Sequence, residues 1–191
     1  HLRNPQEDGI RNLYVYSQLL LSMATQEASY ATNATREEFW SKWQENFDSI
    51  SEENDYKTKL SVLKNTPLTD EQNRKLFSDR FKYVKQYFLD LESEEVLPTV
   101  QDEYLYGLCR PKRLLDLVFS FILFDNGVKK VARYQQFFAI EKTINKIHNI
   151  DQGKRKGGVI WHTQGSGKSL TMVMLAQAIA MDKSIRNPKI I

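Results

Sequence analysis

The stretch Gly157-Gly158-Val159-Ile160-Trp161-His162-Thr163-Gln164-Gly165-Ser166-Gly167-Lys168-Ser169 is the most informative part of this chain. The apolar run Val159–Trp161 follows two glycines and predicts a short buried strand. The apolar residues from Leu170 to Ile179 have few polar interruptions and predict a helix. A strand, a loop ending in Gly-Lys-Ser and a helix are the context of a phosphate-binding loop.

The residue types of this loop suit a phosphate ligand. Gly165 and Gly167 permit positive φ, so that successive backbone N–H groups can converge on an anion at the start of a helix. Lys168 can reach terminal phosphates, and the Ser169 hydroxyl can bind the Mg²⁺ that accompanies them. The predicted phosphate-binding residues are Thr163, Gln164, Gly165, Ser166, Gly167, Lys168 and Ser169.

One position departs from the usual pattern. The pattern opens with glycine, and this chain has His162 there, so a residue with a side chain must make the first turn of the loop. A glycine-rich start of a helix that binds no ligand remains the alternative interpretation.

A second polar cluster, Arg133-Tyr134-Gln135-Gln136, begins 35 positions before Lys168. A glutamine amide can pair with the N6/N7 edge of adenine, and an arginine can stack or hydrogen-bond beside the base. The sequence therefore predicts Arg133 and Gln136 as adenine-binding residues that select ATP over GTP. A polar helix N-terminus without a ligand is the alternative.

Composition limits the class of protein. The chain has 191 residues, 41% of them apolar, which suits one or two domains with a real core. The single cysteine, Cys109, excludes a disulfide framework and has no local signature of a catalytic thiol. No signal peptide is recognisable, and the longest apolar run, 114–124, is too short to span a bilayer. We expect a cytoplasmic chain without membrane contact.

Charge is divided unevenly along the chain. Residues 1–103 hold 12 Lys and Arg against 19 Asp and Glu, a balance of −7, whereas residues 104–191 hold 15 against 5, a balance of +10. The second part is therefore the better candidate for anionic partners, either nucleotide phosphates or nucleic acid. A solvated basic surface is the simpler explanation for any single lysine.

The remaining elements are predicted from apolar spacing and from turn and capping residues. The predicted elements are strands within 13–24 and at Ala28–Ala31, a helix capped by Thr35 and Glu38 that carries Phe39, Trp40, Trp43 and Phe47, an irregular segment at 49–58, a helix from Asp70 to about Leu91, a short helix between Pro98 and Pro111, an apolar helix at Lys112–Phe124, and a further helix from Val128 to Ile147. The fold class predicted is α/β, mixed α+β at the N-terminal end, with a helix-rich middle and the first strand–loop–helix of a parallel sheet. The absence of an initial Met before His1 and a strand-like Lys189–Ile191 indicate a fragment.

The motifs together resemble the motor (restriction, R) subunit of type I restriction-modification enzymes. Ile160-Trp161-His162-Thr163 directly before Gly-Ser-Gly-Lys is the most specific part of the resemblance, and it accounts for His162. Further similar segments are Asn4-Pro5-Gln6-Glu7-Asp8, Gln18-Leu19-Leu20-Leu21, Ala28-Ser29-Tyr30-Ala31-Thr32, Phe39-Trp40 and Arg113-Leu114-Leu115-Asp116-Leu117 through Phe121-Ile122-Leu123-Phe124-Asp125.

The resemblance implies a superfamily-2 helicase-like translocase that pumps double-stranded DNA with ATP and Mg²⁺, in complex with methyltransferase and specificity subunits, and cleaves the DNA. It implies the end of a nuclease-like domain at 1–47, a helical linker at 48–111 and the start of a RecA-like motor domain at 112–191. Lys168, Ser169, Arg133 and Gln136 carry over as ATP-binding residues, with Ser169 as the Mg²⁺ ligand. No catalytic residue of the nuclease carries over, and ATP hydrolysis by this chain alone is not expected.

Two other functions remain open at this point. A P-loop kinase would need acceptor and lid residues after the first helix, and Ile160–Thr163 argues against it. A non-catalytic docking segment, with a loop too incomplete to bind, would show salt-dependent DNA binding without any nucleotide effect.

Overall fold

The computed structural model describes residues 14–33, 35–79, 81–92, 94–151, 153–155 and 157–190. The segment Asn4–Asp8 of the resemblance, Leu13 and Ile191 therefore lie outside the described residues. The elements in chain order are β1 Leu20–Met23, β2 Ala28–Ala31, α1 Ile50–Lys64, α2 Asp70–Leu76, α3 Lys85–Glu92, α4 Val100–Cys109, α5 Pro111–Ser120, β3 Ile122–Asp125, β4 Val128–Val131, α6 Tyr134–His148, β5 Ile150–Asp151, β6 Lys154–Arg155 and α7 Lys168–Met181. The strands pair as three antiparallel hairpins, β1–β2, β3–β4 and β5–β6.

The first hairpin confirms the two strands predicted near the N-terminus. Leu20 pairs with Ala31 and Met23 with Ala28. Residues of β2 are mostly buried, and Tyr30 is fully enclosed. The hairpin therefore contributes one face to the core.

The helix predicted from Thr35 does not form. Its place is taken by a one-turn 3₁₀ helix at Glu37–Phe39, preceded by Arg36 and followed by extended backbone at Trp40. The Thr35 hydroxyl accepts a hydrogen bond from the backbone N–H of Thr32, at 3.2 Å, and so does not cap a helix. The aromatic spacing therefore did not mark a buried helix face, since Phe39 is exposed.

The acidic segment at 49–58, predicted to be irregular, belongs to helix α1. The Ser49 hydroxyl caps the helix by accepting from the N–H of Glu52, and the Glu52 carboxylate accepts from the N–H of Asp48. Among the residues of α1 that the structure describes, Leu60 alone is buried. Capping and surface ion pairs define this helix, so an argument from apolar spacing could not find it.

The long helix predicted from Asp70 is broken into two. It begins as predicted, with a reciprocal capping box between Thr69 and Gln72, but α2 ends at Leu76. Phe77 is buried with its ring centroid 5.5 Å from that of Phe88 on α3. The Phe77–Phe88 contact therefore joins the end of α2 to α3.

The predicted helix Lys112–Phe124 is too long, because its last residues form β3. Asn126 and Gly127 both have positive φ, of 49° and 76°, and make a two-residue hairpin turn into β4. The helix predicted from Val128 consequently begins six residues later, at Tyr134.

The core lies where the N-terminal hairpin meets α4, α5, α6 and α7. The Trp43 ring centroid is 5.8 Å from that of Tyr30 and 5.5 Å from that of Phe137 on α6. Trp43 is thus a core residue, although no helix carries it. Leu117 of α5 and Met174 of α7 are also fully buried in this cluster.

The strand predicted at Val159–Trp161 is not formed, and residues 157–163 have no regular secondary structure. Val159 is 92% exposed and Trp161 89% exposed, so these apolar side chains are not in a core. A strand needs a neighbour to satisfy its backbone groups, and no described strand pairs with this segment. Lys189 and Ile190 likewise form no strand. None of the described helices has the length and apolar character needed to cross a membrane.

Candidate nucleotide-binding site

The loop between residues 162 and 168 contains two glycines with a left-handed backbone and leads directly into α7. Gly165 and Gly167 have φ of 77° and 83°, a region that glycine adopts without strain. Gly167 is the N-cap of α7, and its carbonyl accepts from the N–H of Thr171 at 3.1 Å. The backbone N–H groups of the first helical turn, starting at Lys168, precede this first bond and are available to an anion.

The His162 side chain makes a hydrogen bond within the loop. Its Nδ1 lies 3.1 Å from the Ser166 hydroxyl, and that hydroxyl donates to the Thr163 carbonyl at 2.6 Å. Because the hydroxyl hydrogen is used in that bond, Nδ1 of His162 is the donor to Ser166. Among the described residues that are not glycine, positive φ occurs at Asn126 and Asn187 and not at His162. The first position of this loop therefore does not need a glycine.

Gln136 joins the predicted adenine-binding helix to the loop. Its Nε2 donates to the Gly167 carbonyl at 3.1 Å, and its Oε1 accepts from the N–H of Arg133 at 2.9 Å. The side chain is only 3% exposed, so both bonds are largely shielded from water. A Cβ added at Gly167 would lie 2.8 Å from Gln136 Nε2. The positive φ of Gly167 therefore favours glycine, and a side chain there would also displace the Gln136 amide.

A cleft of about 510 Å³ lies over this junction, within the size range of small-molecule sites. Of the residues predicted from the sequence, the cleft brings together Arg133, Gln136, Gly165, Ser166 and Gly167. Thr163, Gln164, Lys168 and Ser169 are not among its lining residues and are exposed on the loop and the first turn of α7.

The charge of the cleft favours an anion. Its lining contains four basic side chains and no carboxylate, the basic ones being Arg36, Lys129, Lys130 and Arg133. Lys130 is paired with Asp125 at 2.5 Å, and Lys129 Nζ donates to the Ser17 carbonyl at 3.1 Å. In the described part of the chain, Arg36 and Arg133 have no ion pair.

The donor set fits a nucleoside triphosphate. Lys168 is exposed at the first position of α7 and has no ion pair within the described residues, so its ammonium group can turn toward a phosphate. Ser169, one residue later, supplies a hydroxyl oxygen of the kind that Mg²⁺ accepts. The described residues hold no cluster of three or more His, Cys, Asp or Glu that could bind a metal by themselves. A Mg²⁺ ion at Ser169 would therefore depend on phosphate oxygens for its other ligands.

Sequence reasoning missed two walls of this cleft. The β3–β4 hairpin contributes Val128–Val131, and the dipeptide Asn126-Gly127 is a strong hairpin signal that could have found it. The segment from Tyr30 to Ser41 contributes the other wall, and no local pattern indicates that it lies near residues more than 100 positions away.

Cys109 is not a candidate nucleophile, as the sequence indicated. Burial raises the pKa of its thiol above the ordinary value. A reactive cysteine has the opposite shift, toward the thiolate.

Comparison with known proteins identifies a family and several relatives that match parts of the chain. Residues 135–191, from the helix of Gln136 through α7, match the SWI2/SNF2 ATPase family. The HindI endonuclease subunit, a type I restriction enzyme subunit of Haemophilus influenzae, is 35% identical over 94 residues, 46% of this chain and 9% of that protein. A provisionally named type I restriction enzyme MjaVIIIP endonuclease subunit of Methanocaldococcus jannaschii is 31% identical over 117 residues, 58% of this chain and 11% of that protein. No solved structure matches the chain.

These relatives are much longer than the chain, which spans about a tenth of their length. The relatives are enzyme subunits by name, and the resemblance to type I restriction enzyme subunits is confirmed. The chain is accordingly similar in part to the endonuclease subunits of type I restriction enzymes, and its residues 135–191 are similar to the SWI2/SNF2 ATPases.

Proposed function

We propose that the chain is part of the ATP-dependent DNA-translocating and DNA-cleaving subunit of a type I restriction enzyme, and that its cleft binds ATP with Mg²⁺. The observation that carries this proposal is the hydrogen bond from Gln136 Nε2 to the Gly167 carbonyl. It connects Gln136, the residue predicted to bind adenine, to the predicted phosphate-binding loop. Residues of both predicted motifs, among them Arg133, Gln136 and Gly167, line one cleft.

Each polar group has a distinct role in this proposal. The loop from Thr163 to Gly167 and the first amides of α7 bind the phosphates, with Lys168 on the terminal phosphates and Ser169 on Mg²⁺. Gln136 has one N–H and one Oε1 lone pair beyond the two bonds described, which are the groups that an adenine edge requires. The Mg²⁺ supplies neutralisation of phosphate charge when it is bound with the nucleotide.

The wider assembly is part of the same proposal. The relatives are restriction enzyme subunits, so we propose double-stranded DNA and the methyltransferase and specificity subunits as partners. The balance of +10 over residues 104–191 favours a polyanion. We further propose that 159–161 becomes a strand of a RecA-like parallel sheet when neighbouring strands pair with it.

Nucleotide binding without hydrolysis is expected of this chain. The cleft lining contains no carboxylate that could hold Mg²⁺ or orient a water. Arg36 and Arg133 line the cleft without an ion pair to any described residue, so no described carboxylate fixes either of them in the position of an arginine finger.

The test is calorimetric titration of the 191-residue chain with Mg²⁺-ATP and Mg²⁺-GTP. Lys168→Ala removes a charge-assisted contact worth about 1.5 to 3 kcal/mol, so ATP affinity should fall about ten- to a hundred-fold. Lys183→Ala removes the same charge from an exposed position beyond α7 and should bind ATP as the unmodified chain does.

Three outcomes separate the possible functions. ATP binding that is tighter than GTP binding and is weakened by Lys168→Ala supports the proposal. Equal loss in Lys168→Ala and Lys183→Ala would mean that ATP binds through net charge alone. A folded chain that binds DNA in a salt-dependent way, but neither nucleotide, would instead indicate the docking segment.

A further inference from the structure

One wall of the cleft comes from the N-terminal part of the chain. The one-turn 3₁₀ helix Glu37–Phe39 and the preceding Arg36 lie there, and Phe39 and Arg36 line the cleft. Phe39 is 58% exposed, although the neighbouring aromatic residue Trp43 is in the core. An aromatic ring left partly open to a small-molecule cleft offers a flat apolar face to a ligand.

Hydrogen bonds connect this wall to the start of α6, the helix that carries Gln136. The Tyr30 hydroxyl donates to the carbonyl of Ala132, the residue before Arg133, at 2.8 Å. The Thr32 hydroxyl donates to the carbonyl of Lys129 on β4 at 2.5 Å. The position of the wall relative to Gln136 is therefore set by buried hydrogen bonds.

The 3₁₀ helix is itself tied to these contacts. The Thr35 and Thr32 hydroxyls are 2.8 Å apart, and since Thr32 donates to Lys129, Thr35 is the donor between them. On the far side, Tyr30 and Ser41 exchange two backbone hydrogen bonds, of 2.8 and 3.0 Å. Phe39 lies between these two anchor points, so its backbone has little freedom to leave the cleft.

A purine base needs contacts of two kinds, at its polar edge and on its apolar faces. Gln136 and Arg133 provide groups for the edge, but Gln136 provides no apolar face. Within the cleft lining, Phe39 is the one side chain that combines an aromatic ring with substantial exposure, since the Tyr30 ring is fully buried. Aromatic stacking on a base contributes about 1 to 3 kcal/mol and tolerates different bases.

We propose that Phe39 is the base-stacking residue of this cleft and packs on the base of the nucleotide that the phosphate loop holds. The inference rests on the proposed nucleotide site and adds a residue from a separate part of the chain. Because stacking depends little on base identity, Phe39 should set the strength of nucleotide binding, whereas Gln136 sets the preference for adenine.

The experiment compares Mg²⁺-ATP with Mg²⁺-tripolyphosphate, which has the phosphates but no base. Phe39→Ala should weaken ATP binding about ten- to a hundred-fold, the equivalent of one stacked base, and leave tripolyphosphate binding unchanged. Phe39→Trp should retain ATP binding, because the ring is preserved. Phe119→Ala is the matched control, since Phe119 is 63% exposed on α5 and lies outside the cleft lining.

Each contrary outcome has a separate meaning. If Phe39→Ala binds ATP normally while Lys168→Ala does not, the nucleotide site stands and the stacking role is overturned. If Phe39→Ala weakens ATP and tripolyphosphate equally, Phe39 supports the loop and does not stack on the base. If the unmodified chain binds neither ligand, both the site and this inference fail. Equal thermal midpoints for Phe39→Ala and Phe119→Ala exclude loss of folding.

Discussion

Several side chains pack closely around the carboxylate of Glu45. Its Oε1 accepts from Trp43 Nε1 at 2.8 Å and from an Arg113 nitrogen at 3.2 Å, and the side chain is 11% exposed. The Arg113 guanidinium also lies 4.6 Å from the ring centroid of Phe137. Gly107 of α4 packs directly against this group, so the helix can approach only because the residue has no side chain.

The substitution Gly107→Ala should destabilise the chain. The added Cβ would lie 3.0 Å from both Glu45 Oε1 and Trp43 Nε1, closer than almost all real contacts of a Cβ. Overpacking costs about 1 to 3 kcal/mol and replacing glycine in a helix gains about 1 kcal/mol, so the net loss of stability should be up to about 2 kcal/mol. Urea unfolding measures the difference.

Gly158→Ala is the control for that substitution. Its Cβ would meet the Lys146 side chain at 3.6 Å, an ordinary contact, and Gly158 is not among the residues with positive φ. A Gly107→Ala chain as stable as Gly158→Ala would show that α4 can shift away from Trp43 without cost.

At the scale of elements, the capping box of α4 links two helices. The Asp102 carboxylate accepts from the N–H of Thr99 at 2.8 Å and from Lys64, the last residue of α1, at 3.0 Å. Burial alone raises the pKa of Asp102, but the hydrogen bonds from Thr99 and Lys64 outweigh it and hold the pKa below its usual value. Ionised Asp102 therefore stabilises both the start of α4 and its contact with α1.

Asp102→Asn should reduce the free energy of unfolding by about 1 to 2 kcal/mol at neutral pH, the value of a cap and a charge-assisted bond. A carboxyl with a lowered folded pKa contributes stability above its unfolded pKa, about 3.9, and loses it as the pH falls through the folded value. The difference between the two chains should therefore narrow below about pH 4.

Urea titrations at pH 7, 5, 4 and 3 test this dependence. Asp116→Asn is the matched control, because Asp116 makes an exposed pair with Lys112 on α5. Such pairs contribute about 0.3 to 0.5 kcal/mol, so this variant should be nearly neutral. A difference for Asp102→Asn that is independent of pH would contradict the assigned role of its charge.

The accuracy of the sequence predictions differs between elements for physical reasons. The starts of α2 and α5 were predictable, because the capping box at Thr69 and the proline at Pro111 are local signals. The β3–β4 hairpin was missed because the apolar run through Phe124 also fits a helix, and the predicted helix ended there without using the turn signal of Asn126-Gly127. Short apolar runs do not distinguish these structures without their turn chemistry.

At the scale of the whole molecule, one part of the candidate site could be predicted from the sequence and the other part could not. Arg133 and Gln136 were placed with the loop by motif chemistry, and the structure brings Gln136 to Gly167. The wall that carries Phe39 depends on contacts between residues about 100 positions apart, such as Tyr30 with Ala132, which local patterns do not encode. The strand predicted at Val159–Trp161 does not form for a related reason. A strand needs a neighbouring strand to pair with, and the local sequence does not show whether one is present.

These long-range bonds make the N-terminal hairpin part of one cooperative unit. Tyr30→Phe removes the donor to the Ala132 carbonyl, a buried group, and should lower the free energy of unfolding by about 1 to 2 kcal/mol. Urea unfolding followed by tryptophan fluorescence and by far-ultraviolet circular dichroism should give coincident transitions, because Trp43 contacts Tyr30 and Phe137 together. Tyr83→Phe, at an 81% exposed residue, should be neutral.

The same substitution has a signature at alkaline pH. Burial raises the pKa of the Tyr30 hydroxyl above its ordinary value. A group whose folded pKa is raised contributes stability below its unfolded pKa, about 10 for tyrosine, and loses it as the pH rises further. The advantage of the unmodified chain over Tyr30→Phe should therefore shrink above about pH 10. If the difference in free energy of unfolding between the two chains stays constant above about pH 10, the hydrogen bond of the Tyr30 hydroxyl does not stabilise the fold. Separate transitions for the two probes at pH 7 would mean that the hairpin and the helix of Gln136 unfold independently.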